Sequence, residues 1–436
     1  MRKFCRKCGN PVRVSGNFCA KCGTNIARGR PRPYEEEQQP WHGHLPYHAH
    51  LPSAARPRKT KRMPIIAGSL VLAVAVFFVV FFVLFRDADE DDRIGLEDWD
   101  APFVSPPPTP SFDEDERDIP DVYAYVLIGG QQFSTSLTSV ELLNMELSNA
   151  DIRQLRYMVN LRELVFEGRG VDDITHVGEL ENLESLIFGN TQVGDISPIS
   201  ALTNLTTLGI WDSPISNIVP LAGLANLEHL FVFGAQVIDI TPIENLRNLR
   251  TLDLRWNQVS DISAISSLTS LRELSLEANP IDDFLTISYL TNLERLNLSQ
   301  TRFEDFDILW GLWNLESLYL NYLQIHDIEW TVGTFGVFVN MHRLLSLSLE
   351  GNNLISGDLW FLWLLPNLEY LNLSNNGITW LHYFEDLYNL RDLNLFNNQV
   401  TDVGPLAGLE NLHWVDLENN NVQDISPIGH VPNVFR

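Results

Sequence analysis

From residue 161 to 434 the apolar positions recur in one order, L-x-x-L-x-L-x-x-N-x-I-x-D-I-x-P-L-x-x-L-x-x. Copies open at Leu161, Leu183, Leu205, Leu227, Leu249, Leu271, Leu293, Leu315, Leu344, Leu368, Leu390 and Leu412. The steps from Leu161 to Leu315 are 22 residues each; the next two are 29 and 24. In the copy from Leu249, Leu252 and Leu254 alternate with Thr251, Asp253 and Arg255. A period of two predicts a short strand with one buried face, Thr251 lying on the outer one. Asn257 follows where the chain must turn, and its amide suits backbone groups that stacking would bury unpaired. Asn279, Asn352, Asn376, Asn398 and Asn420 repeat it, Thr191, Ser213 and Thr301 stand in, and Arg169, Ala235 and Leu323 break the rule. Next, Asp261 precedes Ile262, and Asp recurs there from Asp173 to Asp424, which predicts a cap for a short 3-10 or helical segment on the back of each coil.

One such coil cannot bury its leucines alone, so neighbours must stack into a parallel sheet. A fixed period in this range around L-x-x-L-x-L-x-x-N is the leucine-rich-repeat signature. The D-I-S-P-I forms at residues 195–199 and 424–428, with T-P-I at 241–243, are more specific. The 22-residue repeat carrying them resembles the internalin-like class of bacterial surface leucine-rich-repeat proteins, over about two thirds of the chain. The resemblance implies a non-catalytic binding scaffold outside the cell, and it carries over no ligand. The expected fold is an α/β solenoid: a curved leucine-rich-repeat rod with a parallel concave sheet and short 3-10 or helical convex segments.

Residues 161–436 hold the repeats, and 121–160 read as an N-terminal cap with an atypical first repeat. Val126–Ile128 and Gln132–Ser134, around Gly129 and Gly130, predict a strand pair with a turn. The strand half of the first repeat is expected near residues 142–147. The excess length of the two long steps falls at 331–343 and around 357–365, where Phe335, Phe338, Trp360, Phe361 and Trp363 are expected to thicken the back of the rod.

Charge divides the chain. Residues 1–62 hold 14 Lys and Arg against three Glu; the remainder holds 16 Arg, no Lys and 53 acidic residues. Between the two lies an uncharged run from Ile65 to Phe85, long enough to cross a bilayer at about 1.5 Å per residue. Residues 63–85 are therefore read as one transmembrane helix. Arg56, Arg58, Lys59, Lys61 and Arg62 before it place the N-terminus in the cytoplasm by the positive-inside rule. Residues 86–120, acidic and proline-rich, read as an extended stalk. Residues 27–62 read as a basic flexible linker; its His42, His44, His48 and His50 are taken as low-complexity sequence rather than a metal site.

All four cysteines lie in the first 22 residues. Cys5, Cys8, Cys19 and Cys22 form two C-x-x-C-G knuckles whose thiolates can close on one structural Zn²⁺, so residues 1–26 read as a zinc ribbon. This segment resembles the short zinc ribbons at the N-termini of many bacterial membrane proteins. A closed four-thiolate site leaves no position open for catalysis.

The register of the repeats sends Trp211, Phe231, Phe233, Trp256, Tyr319, Tyr322, Tyr370, Phe396 and Trp414 to the concave face. Glu163, Glu167, Asp212, Asp253, Glu273, Glu277, Asp392, Asp416 and Glu418 lie among them. Aromatics at this density predict a contact surface for a protein or a glycan, against the plainer reading that rings pack on their own neighbours. The acidity argues against nucleic acid or an anionic lipid as the outside partner. No H-E-x-x-H, G-x-S-x-G, P-loop or dinucleotide turn occurs, so the chain is not read as an enzyme. The expected function is bacterial cell-surface recognition or adhesion on a single-pass anchor, with a transmembrane sensor reporting through the zinc ribbon as the alternative. The sequence leaves ligand and oligomeric state open.

Overall fold

The computed structural model describes residues 3–4, 11–12, 124–323 and 336–436. The chain divides into two units, residues 1–108 and 109–436. In the first, Lys3–Phe4 pairs antiparallel with Pro11–Val12. The four cysteines, the 63–85 run, the stalk and Phe335 lie outside the described residues.

In the second unit, 14 strands form one parallel sheet in strict sequence order, from Ser139–Leu142 to Asn433–Phe435. Each coil supplies one strand and one 3-10 turn, and leucine faces leucine across the ladder: Leu230, Leu252, Leu274 and Leu296 are successive partners. All four are buried, within one core that runs from Val126 to Val431. The cap forms as expected, with Tyr125–Ile128 antiparallel to Gln131–Ser134. The first coil's strand falls at Ser139–Leu142, earlier than the 142–147 expected, because it pairs in register with Glu163–Glu167.

Counting from the first leucine of a coil, position 9 is the ladder residue. Asn257 there donates to the carbonyls of Val232, Leu254 and Arg255 and accepts from the Val237 amide. Asn279 and Asn398 repeat the pattern. In earlier coils the Thr191 and Ser213 hydroxyls bond each other at 2.8 Å. The residue at position 8 takes a left-handed backbone in eleven of the twelve coils from Leu161, usually as Asn, Asp or Gly.

On the back, Asp195, Asp239, Asp261 and Asp424 each accept the amide two residues on at 2.8 Å, opening a 3-10 turn. That amide holds the carboxyls of Asp239, Asp261 and Asp424 below the usual range. In the long coils Phe338 and Phe361 are fully buried and stack at 4.8 Å, so these two rings do fill the back. Trp363, in contrast, stands exposed.

After the four-residue first strand, strand length changes once along the sheet. The strands from Glu163–Glu167 to His229–Phe233 have five residues; those from Thr251–Asp253 onward have three. Position 5 accounts for the change in five of the nine later strands; Ser275, Tyr319, Ser348 and Phe435 occupy that position in the other four. It is Val165, Ile187, Gly209 and Phe231 in the long strands. Later it is Asp253, Asn297, Asn372, Asn394 or Asp416, whose side-chain oxygen accepts the amide at position 7 of its own coil. The carbonyl at position 6 is meanwhile taken by the ladder asparagine of the next coil, as Asn257 takes Val232 and Asn279 takes Leu254. In these coils a side-chain oxygen at position 5 and a side-chain amide at position 9 replace a backbone bond, and the strand stops early.

Candidate recognition face

The concave face is built from positions 3, 5 and 7, with position 8 on its edge. Seven of the nine expected aromatics lie on strands or directly beside them. Trp256 and Tyr322 do not: both are position 8, with φ of 58° and 50°, at the turn that follows the strand. A bulky side chain in this region costs about 1–2 kcal/mol. Trp256 is 56% exposed and Tyr322 43%, so burial offsets little of that cost.

The rings divide by what they touch. Trp211 lies flat on the sheet: a β-carbon at Gly189 would fall 2.1 Å from its ring. Tyr322 lies similarly over Gly351, at 2.2 Å, where φ of 65° also favours glycine. Trp414 packs on Phe435 at 5.8 Å between centroids. Tyr370 is pushed up to about 12 by burial, so its hydroxyl stays protonated. Phe231 and Phe233 are half-buried on one strand, and Phe233 carries the Arg255 guanidinium 5.3 Å above its ring. Arg255 in turn pairs with Asp253 at 2.7 Å, where both side chains are largely buried. The plainer reading thus holds for Trp211 and Trp414, while Phe231, Phe233 and Trp256 share one side of adjacent coils beside a fixed ion pair.

Thr251 corrects the expectation of a solvated outer strand face. Only 9% of it is exposed, and its hydroxyl meets His229 Nδ1 at 3.1 Å. In this coil positions 3 and 5, Thr251 and Asp253, are both buried by their neighbours, while Trp256 at position 8 is exposed. Burial also pushes the His229 imidazole below its ordinary value, keeping it neutral at pH 7.

Sequence reading missed two sets of residues. The first is a repeated carboxylate mount. Glu277, at position 7, accepts from Asn297 Nδ2 at 2.8 Å and Gln300 Nε2 at 3.2 Å, from positions 5 and 8 of the next coil. Glu350 is held the same way by Asn372 at 3.2 Å and Asn375 at 2.7 Å, with the Tyr322 hydroxyl at 2.7 Å in addition. The signal was legible: an acid at position 7, then amides at positions 5 and 8 one coil later. The second set is on the back, where Tyr289, Trp310, Trp313 and Tyr388 are each more than half exposed.

A leucine-rich-repeat model matches residues 247–289, 291–331 and 388–430, and a second matches 367–387. These coils are leucine-rich repeats. An internalin (inlF) from Listeria monocytogenes aligns with 27% identity and a TM-score of 0.58, covering 70% of this chain and 89% of that one. A leucine-rich-repeat protein from Leptospira interrogans aligns with 24% identity and a TM-score of 0.53, over 67% of this chain and 81% of that one. The second likeness is one of fold alone. No curated protein sequence matches the chain closely.

Proposed function

We propose that the chain is a non-catalytic recognition protein that binds a protein or glycan partner through the concave face of its repeats. The observation that carries this reading is Trp256. It is the largest side chain available, half exposed, at a left-handed backbone position where seven other coils place Asn, Asp or Gly. Stability alone disfavours it there, and strain of this kind is kept where a surface has another task. Phe231, Phe233 and Tyr322 extend the same surface. The internalin likeness supports a binding scaffold rather than an enzyme. In this reading residues 63–85 anchor the chain, 1–62 stay in the cytoplasm with one Zn²⁺ on Cys5, Cys8, Cys19 and Cys22, and the repeats face outward.

Two measurements test it. Protein and glycan arrays probed with the full chain should give a binder that Trp256→Asn loses by on the order of tenfold or more. Surface proteolysis of intact cells should remove the repeats and leave a protected N-terminal fragment. Unchanged binding by Trp256→Asn rejects the concave site; repeats cut only after lysis reject the topology.

A further inference from the structure

We infer that the concave face recognises an extended polypeptide segment carrying two basic side chains at i and i+4, one on Glu277 and one on Glu350. The inference rests on the concave-face reading and supplies the partner's chemistry.

The two carboxylates occupy equivalent places and are mounted alike, each between amides from positions 5 and 8 of the following coil. The amides fix both oxygens without neutralising them. Among the described residues, neither Glu277 nor Glu350 has an ion-pair partner, although Glu228, Glu273, Glu294, Glu316 and Glu369 all pair with arginine. A carboxylate oriented by neutral donors keeps its charge for a cation from elsewhere. Asp392, which has no ion pair among the described residues, adds to an attractive field for a basic partner.

Spacing selects the partner. The strands of these coils pair in unbroken register from Glu273–Ser275 through Arg295–Asn297 and Ser317–Tyr319 to Ser346–Ser348. Glu277 and Glu350 are therefore three strands apart, about 14 Å at about 4.8 Å per strand. An extended chain rises about 3.4 Å per residue and repeats its facing side every second residue. Residues i and i+4 then point the same way about 14 Å apart, whereas i and i+1 diverge.

The test uses the full chain and two fluorescent probe peptides, Arg-Ser-Thr-Ser-Arg and the same composition with adjacent arginines, Arg-Arg-Ser-Thr-Ser. The spaced peptide should bind, the compact one about tenfold more weakly, and Glu277→Gln or Glu350→Gln should each weaken the spaced peptide about tenfold with little change in melting. Asp261→Asn, on the back, should leave binding as it was. Equal affinity for the two peptides, no binding of either, or indifference to both Gln substitutions overturns the inference. If Trp256→Asn still abolishes an array binder in that event, the concave reading stands and only the partner chemistry is wrong.

Discussion

The coils before and after Leu249 share a core and differ in how they close their turns. In the coils from Leu161 to Leu227, position 5 is apolar or glycine, position 9 is Arg, Thr, Ser or Ala, and strands run five residues. From Leu249 on, Asn at position 9 of most coils captures carbonyls of its own and the preceding coil, Asp or Asn at position 5 of five coils captures an amide, and strands run three. The exchange frees the concave face of the later coils for polar groups. Glu277 and Glu350 are mounted there by the same amides that shorten the strands, while the earlier half presents Ile187, Trp211, Phe231 and Phe233. Polar residues at positions 5 and 9 therefore set both local backbone pairing and surface chemistry.

The largest effects should not distinguish the halves. Leu208→Ala and Leu252→Ala each remove a fully buried side chain and should cost about 2–5 kcal/mol in denaturant unfolding. A large inequality would mean that the core is not continuous across Leu249. The turns should distinguish them. Asn257→Ala orphans the Val237 amide and the Val232 carbonyl, at a cost of about 3 kcal/mol, whereas Thr191→Ala gives up the Ser213 hydroxyl bond and a long bond from the Val193 amide, together worth about 1–2 kcal/mol. Equal losses would refute the division into two kinds of turn.

Smaller still, Trp256→Asn should stabilise the fold by about 1 kcal/mol, because Asn tolerates the left-handed backbone. A lower melting temperature would show the indole to be structural. The smallest effect is in pH. The carboxyls of Asp239, Asp261 and Asp424 sit below their ordinary value because a backbone amide bonds the ionised form. Their contribution is present above the unfolded value of about 3.9 and fades as pH falls below it. Asp261→Asn should flatten the melting curve slightly in that acid range. Glu277 runs the other way: burial raises its carboxyl, so the slight stabilisation expected of Glu277→Gln is present at neutral pH and fades as pH falls into the carboxylate range.

The coil was legible in the sequence because each of its parts is local. Leucine spacing gives the strand and its face, and Asn257 and Asp261 bond within the turns that contain or follow them. What escaped depends on neighbouring coils. The outward alternation of Thr251 reads as solvent contact, yet His229 and the adjoining strands cover it. Trp256 and Tyr322 read as strand residues, while the turn that closes over the ladder residue rotates them to the edge. Glu350 looked like one acid among many until Asn372 and Asn375, one coil on, were placed beside it.

The central claim, that recognition takes place on the concave edge, is tested most directly by amide hydrogen exchange of the full chain with and without its bound partner. Protection should appear at residues 231–233, 255–258 and 319–323, with the back of the coils unchanged. Protection confined to the turns bearing Trp310, Trp313 and Trp363 would contradict the account and move recognition to the opposite surface.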